Sequence, residues 1–331
     1  MKLLFIFTGG TIGSTQSDDV ISVDKNKSYI IIDAYRRRYG IDFDYDVAEP
    51  YTELSENNTG WHIRMLVRTV KENADKGYDG IIITHGSDTL QYSAAAIGYC
   101  MGLDSLPICL VAANFPIEDI RSNALDNLCG AISFIKNSCG RGAFVVYRNA
   151  NSNTVRVHRA TRLIGAKAYS DDVSSAGGGV FGWFDKNYSF IKNPDYTERA
   201  DEKEALDASQ IEDVSRNIAV IPCYPGMTYP QISDDVKYVI LSTYHSGTLN
   251  TKSKAIVDFL NCVKAKGVTV YVSGTSCGPH YLSAESFDEL GIVPINSISP
   301  VAAYIKLWLI TSMGKEPTEL LFGSIGGDVM I

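Results

Sequence analysis

The feature that most restricts what this chain can fold into is a series of short, unbroken apolar runs. They are Leu3 to Phe7, Gly80 to Thr84, Pro107 to Ala112, Ala143 to Tyr147, Ile218 to Pro222, Tyr238 to Ser242 and Val268 to Val272. A strand with one wet face alternates apolar and polar residues, whereas an unbroken run suits a strand covered on both faces of a parallel sheet. Helical periodicity follows each run, so the predicted class is α/β, doubly wound. At 331 residues the chain is long for a single domain. Lys186 to Asn217 divides the runs into two sets, being charged and poor in strand signals, with Asn193-Pro194-Asp195 and an acidic segment from Glu198 to Glu204. The expectation is a larger N-terminal parallel-sheet domain over residues 1–190, a linker over 191–214, and a smaller C-terminal flavodoxin-like α/β domain over 215–331.

Charge narrows the partners. With 30 Lys and Arg against 38 Asp and Glu, the formal net charge is −8. Nucleic-acid backbones and anionic membranes both demand clustered cations, and the one basic run, Arg36-Arg37-Arg38, reads as a solvated helix face. A small-molecule partner is expected, with no nucleic acid and no membrane. The apolar run at Met1 to Phe7 stops at Thr8, too short for a signal peptide, and no run approaches the length of a membrane span. The seven cysteines are dispersed, odd in number and never spaced as metal-ligand pairs. They read as reduced thiols in a cytoplasmic protein, with no disulfide and no zinc.

Two loops carry the chemistry. Thr8-Gly9-Gly10-Thr11-Ile12-Gly13 follows the first run, where open parallel sheets bind ligands. Its glycines permit a tight turn and close backbone approach, and Thr11 offers a hydroxyl beside exposed amides. A nucleotide loop is a poor match, since neither the three-glycine dinucleotide pattern nor a Gly-Lys-Ser/Thr sequence is present. Thr84-His85-Gly86-Ser87-Asp88-Thr89 ends the second run. Taken alone, Asp88 and Gln91 have capping-box spacing, and His85 reads as a packed strand-end histidine.

Taken together, in this order, the two loops resemble the paired signatures of the bacterial L-asparaginase family, Thr-Gly-Gly-Thr-Ile and His-Gly-Thr-Asp-Thr. The resemblance continues through Tyr51 to Trp61, with Ser55-Glu56-Asn57, which resembles the family's substrate-binding loop, and through Ala112-Ala113-Asn114, Arg121-Ser122-Asn123, the segment Pro300 to Leu309 and the closing Gly326-Gly327-Asp328. It implies a cytoplasmic amidohydrolase that needs no metal or organic cofactor and converts L-asparagine, with L-glutamine as a second substrate, to the carboxylate and ammonia. It implies Thr11 as nucleophile, Ser87 and Asp88 as the second hydroxyl and carboxylate, and glycine-loop amides for the oxyanion. Gly10, Ser55, Glu56, Gly86, Ala113 and Asn114 become the substrate-binding positions. Asp88 would receive the α-ammonium and Ser55 the α-carboxylate. It further implies a homodimer or a dimer of dimers, with Thr248 near the neighbour's substrate.

This chain departs from that pattern at Ser87, where the family has threonine, and at the relay lysine, best matched by Arg162 in Arg159-Ala160-Thr161-Arg162. Arginine is always protonated and cannot act as a base; Lys167 is the substitute if the loop folds differently. The lid segment Thr15 to Val23 contains no tyrosine, and Tyr29 is the nearest one. Two other readings stay open: an amidohydrolase of a different amide, and an amino-acid-binding protein that has lost turnover. Cys277, in Gly274-Thr275-Ser276-Cys277, reads as a small buried apolar residue.

Overall fold

A computed structural model of the chain describes residues 1–10, 14–17, 20–23, 29–207, 211, 215–278 and 281–330. In chain order the first strands and helices are β1 (Lys2–Phe7), β2 (Ser14–Ser17), β3 (Val20–Val23), α1 (Ile30–Tyr39), β4 (Asp44–Ala48), α2 (Gly60–Ala74), β5 (Gly80–Thr84), α3 (Leu90–Met101), β6 (Ile108–Val111) and α4 (Ala124–Lys136). There follow β7 (Ala143–Arg148), β8 (Val155–Arg159), β9 (Leu163–Ala166), β10 (Val173–Ser175), β11 (Gly182–Phe184) and β12 (Phe190–Lys192). The remainder is β13 (Ile218–Pro222), β14 (Tyr238–Ser242), α5 (Lys254–Ala265), β15 (Thr269–Thr275), α6 (Leu282–Glu289), β16 (Ile292–Asn296), α7 (Pro300–Ser312) and α8 (Glu319–Phe322).

The unbroken apolar runs are buried on both faces, as a parallel sheet requires, except Ile218 to Pro222, which forms the edge strand β13 of the smaller sheet and leaves Val220 exposed. The large sheet has the order β12-β11-β8-β7-β6-β5-β1-β4. Its five strands β4, β1, β5, β6 and β7 are parallel, and β8, β11 and β12 extend the edge antiparallel. Alternate residues face opposite layers: Phe5, Ile82, Val111 and Phe144 pack with α1 and α4, while Ile6, Ile83, Leu110 and Tyr147 pack with α2 and α3. A separate smaller sheet, β13-β14-β15-β16, is parallel throughout and has its own core under α5 and α6.

Counted within the parallel part, the strand order is 2-1-3-4-5. Connections leave the first strand β1 in one direction, to β4, and then return past it to β5. Ligands in open α/β sheets bind at such a reversal, outside the carboxyl ends of the strands. Here the reversal falls between β1 and β5, the strands that the two motif loops follow.

Helix α7 is apolar on nearly every side, so it has to be buried all round. It lies between α3 of the large domain and strands β13 and β15 of the small one, and joins the two cores. Ser299 caps it by accepting from Ala302 N at 3.1 Å, with Pro300 at its first turn.

Candidate active site

The site is built where β1, β4, β5 and β6 end together. Phe7 pairs with Thr84 across β1 and β5, and Thr84 with Val111 across β5 and β6. Beyond these pairs the chain leaves ladder geometry but stays stitched. Thr8 Oγ1 donates to Thr84 O at 2.8 Å, Glu53 N to Thr8 O at 3.1 Å, and His85 N to Val111 O at 2.9 Å.

Three loops then meet at contact distance. Gly10 has φ +80° and lies so close to the second motif that a Cβ there would sit 2.5 Å from Gly86 N. A Cβ on Gly86 would in turn sit 2.4 Å from Ser55 Oγ. Only hydrogen at Cα fits such a stack, which explains glycine at both positions. Gly10, Gly86 and Ser55 are thus brought together, and Thr11, which follows Gly10 in the chain, lies outside the described residues.

Ser55 is buried at 3% exposure and opens a short 3-10 turn over Ser55–Asn57. Its Oγ accepts from Asp88 N at 3.2 Å, and its carbonyl accepts from Thr89 Oγ1 at 2.9 Å. Ser87 is half-buried and Asp88 is exposed at the rim, so this carboxylate is open to a cation from solvent. Glu56, one residue on from Ser55, is exposed. Ala113 is buried, and Asn114 is held by a reciprocal pair with Asn123: Asn114 N donates to Asn123 Oδ1 at 3.0 Å, and Asn123 N to Asn114 Oδ1 at 3.1 Å.

Helix capping is not the task of the second motif. The cap position of α3 is Thr89, whose hydroxyl goes to Ser55 instead, and Gln91 Nε2 donates to the Asp88 carbonyl at 3.2 Å. His85 is fully buried, as its strand-end reading expects. Its Nδ1 lies 2.8 Å from Gly86 O, a carbonyl, so Nδ1 carries the proton and Nε2, 3.4 Å from Asn58 Nδ2, accepts. Desolvation holds its pKa below the ordinary imidazole value, so the ring is neutral and serves to lock the loop.

Arg162 does not reach this cluster. It is 4% exposed; its Nε donates to Gly327 O at 2.6 Å and its Nη2 to Thr197 O and Val329 O, both at 2.8 Å, with the guanidinium over the Tyr196 ring. Lys167 comes closer along the chain. Thr161 lies against Gly98 of α3, and Gly165 against the Gln91 side chain. Strand β9 therefore runs along α3 toward its N-terminal end, covering in four residues about 13 Å of strand against about 10 Å for seven residues of helix. Two residues further, at the start of the turn between β9 and β10, stands the exposed Lys167. Ser170 N donates to Lys167 O at 3.0 Å to close that turn.

Sequence reasoning missed Glu53 and Asn58. Glu53 bridges to Gly9, and Asn58 Nδ2 also donates to Thr89 Oγ1 at 3.1 Å. Cys277 is exposed rather than buried, because it sits in the open loop after β15. Tyr29 packs at 5.8 Å on Phe7 and is half-exposed.

A family model described as asparaginase, N-terminal, matches residues 2–194. Among curated proteins, a glutamyl-tRNA(Gln) amidotransferase component from Methanococcus maripaludis strain C5 is 24% identical over 289 residues, 83% of this chain and 68% of that protein. Its counterpart in Thermofilum pendens is 23% identical over 96% of this chain and 72% of its own length. Among solved structures, the thermostable L-asparaginase from Thermococcus kodakarensis superposes with TM-score 0.78 at 19% identity over the whole of both chains. L-asparaginase I from Vibrio cholerae gives TM-score 0.72 at 20% identity, over 100% of this chain and 99% of that one. The structural likeness accounts for the two-sheet fold, the matched model spans more than half of the sequence, and the motif loops it contains meet at the strand-order reversal: this chain belongs to the asparaginase family.

Proposed function

We propose that this protein hydrolyses the side-chain amide of L-asparagine to L-aspartate and ammonia, with Thr11 as nucleophile. The observation that carries the reading is the contact of Gly10 with Gly86 and of Gly86 with Ser55, which makes one site of three loops far apart in sequence. In this reading Asp88 receives the α-ammonium and Ser55 the α-carboxylate, as charge-assisted partners. Asn114 and the carbonyl of Ala113 line the amide. The Thr11 oxygen forms a bond to the amide carbon, and backbone amides of the Gly10 and Gly86 loops hold the oxyanion. The C–N bond then breaks, ammonia leaves with the proton taken from Thr11, and water cleaves the ester.

We assign the relay to Lys167 rather than Arg162. A lysine can pass a proton and an arginine cannot, and the carbonyl partners of Arg162 already occupy its guanidinium. Ser87 links the relay to Thr11. The working unit in this reading is a cytoplasmic homodimer or a dimer of dimers, with Thr248 near the neighbouring substrate.

A second reading rests on the names of the curated relatives. An amidotransferase moves an amide nitrogen, so L-glutamine would be the donor; the net charge of −8 counts against direct tRNA contact. Ammonia release from L-asparagine, L-glutamine and D-asparagine by wild type, Ser87→Ala and Lys167→Met separates the readings. L-Asparagine is expected to turn over fastest, and Lys167→Met to lose about 10²-fold or more. Faster L-glutamine turnover favours the second reading, and full activity in Lys167→Met overturns the relay assignment. No ammonia from any amide leaves an amino-acid-binding protein.

A further inference from the structure

Residues 324–329 return to the large domain and are buried there. Asp328 is 0% exposed; its Oδ2 accepts from Lys306 Nζ and from Tyr99 OH, both at 2.8 Å, and its Oδ1 accepts from Ile325 N at 3.0 Å. Lys306 is equally buried and also donates to Gly323 O. Glu202 holds the same turn from outside, accepting from Gly327 N at 2.8 Å and from Ser324 Oγ at 2.6 Å.

What this turn holds is the root of β9. Thr161 Oγ1 donates to Gly326 O at 2.8 Å, and Arg162 reaches Gly327 O and Val329 O. Gly326 itself lies against the Gly98 carbonyl of α3, where a Cβ would come within 2.6 Å. Three carbonyls of a buried turn therefore fix Thr161 and Arg162 on one side of α3, and the strand they begin leads to Lys167. A buried charged pair whose two members are both tied to further groups is a poor source of stability but a good source of a single geometry.

We propose that the closing turn is the anchor that sets the position of β9, and that Arg162 and Asp328 act through it as positioning residues for Lys167. The inference rests on the asparagine-hydrolysis reading above and names a second layer beneath that site. Catalytic geometry is steep, since a displacement near 1 Å can cost on the order of 10²-fold.

The test measures kcat and KM for L-asparagine in Arg162→Met, Asp328→Asn and Leu260→Ala, each assayed at a temperature where circular dichroism shows it folded. Leu260 lies in the separate core of the small domain, so its truncation destabilises without touching β9. Arg162→Met and Asp328→Asn are expected to lose 30-fold or more in kcat with KM within threefold of wild type, while Leu260→Ala keeps wild-type kcat. Wild-type kcat in the folded Arg162 and Asp328 variants overturns the positioning role, as does an equal loss in Leu260→Ala. An inactive wild type fails the underlying reading instead, and aspartate-induced thermal shifts across the same variants then report whether the turn shapes the pocket at all; unchanged shifts overturn the inference there too.

Discussion

Replacing Gly10 with alanine isolates the loop contact on which the site depends. The added Cβ would lie 2.5 Å from Gly86 N, 2.6 Å from Gly86 Cα and 2.8 Å from the His85 carbonyl carbon, all of them backbone atoms that cannot rotate away. Ordinary contact begins near 3.4 Å, so the two motif loops have to part by roughly 0.9 Å, a displacement of the size that costs about 10²-fold in rate. That loss corresponds to about 2.7 kcal/mol of barrier. The left-handed φ of +80° adds about 1–2 kcal/mol of strain for any residue with a Cβ. Gly77→Ala is the matched control, because Gly77 has φ +79° with nothing within 4 Å of its Cβ position. In a coupled ammonia assay, Gly10→Ala should fall about 100-fold in kcat/KM for L-asparagine, and Gly77→Ala should stay at wild type while losing similar strain energy in stability. Activity of Gly10→Ala within threefold of wild type, or an equal fall in Gly77→Ala, would refute the argument that loop contact organises the site.

Further outcomes follow from buried polar groups. Lys306→Met leaves the Asp328 carboxylate buried without its cation and should cost about 3–5 kcal/mol in urea unfolding, most of it regained in Lys306→Met with Asp328→Leu; a single-variant loss under 1 kcal/mol contradicts this. His158 is fully buried, and burial first, then the nearby Arg156 charge, push its pKa from 6.5 down to about 3. The unfolded chain therefore binds more protons than the folded one between those values, so stability drops as pH falls through that window, by about 1.4 kcal/mol per unit from this group. His158→Gln should show a shallower acid limb than wild type between pH 6 and 4, and parallel limbs would count against a buried neutral imidazole.

Much of this was legible in the sequence, for physical reasons. Unbroken apolar runs at Leu3 to Phe7 and Gly80 to Thr84 admit few places other than a sheet covered on both faces, and loops after such strands are where ligands bind. The pairing of Thr8 to Gly13 with Thr84 to Thr89 comes from their resemblance to the two signatures of the asparaginase family. The position proposed for the relay is harder to read. Arg162 and Lys167 are five residues apart, and in a strand that spacing spans about 16 Å, so a small shift in matching one motif moves the charge from one end of α3 to the other. Within Tyr51 to Trp61 nothing singles out Glu53 and Asn58, because their contacts are with Gly9, His85 and Thr89, which only the folded sheet brings near. The burial of Lys306 was hidden for the same reason: its partner Asp328 is 22 residues away and meets it only when the chain end folds back.

The most direct test of the central claim compares ammonia release from L-asparagine by wild type and Thr11→Ala at matched protein concentration. Steady turnover by wild type, reduced at least 10³-fold in Thr11→Ala while aspartate still raises the melting temperature of both, is the predicted result. Undiminished turnover in Thr11→Ala, or none in wild type, would contradict a threonine-based amide hydrolase.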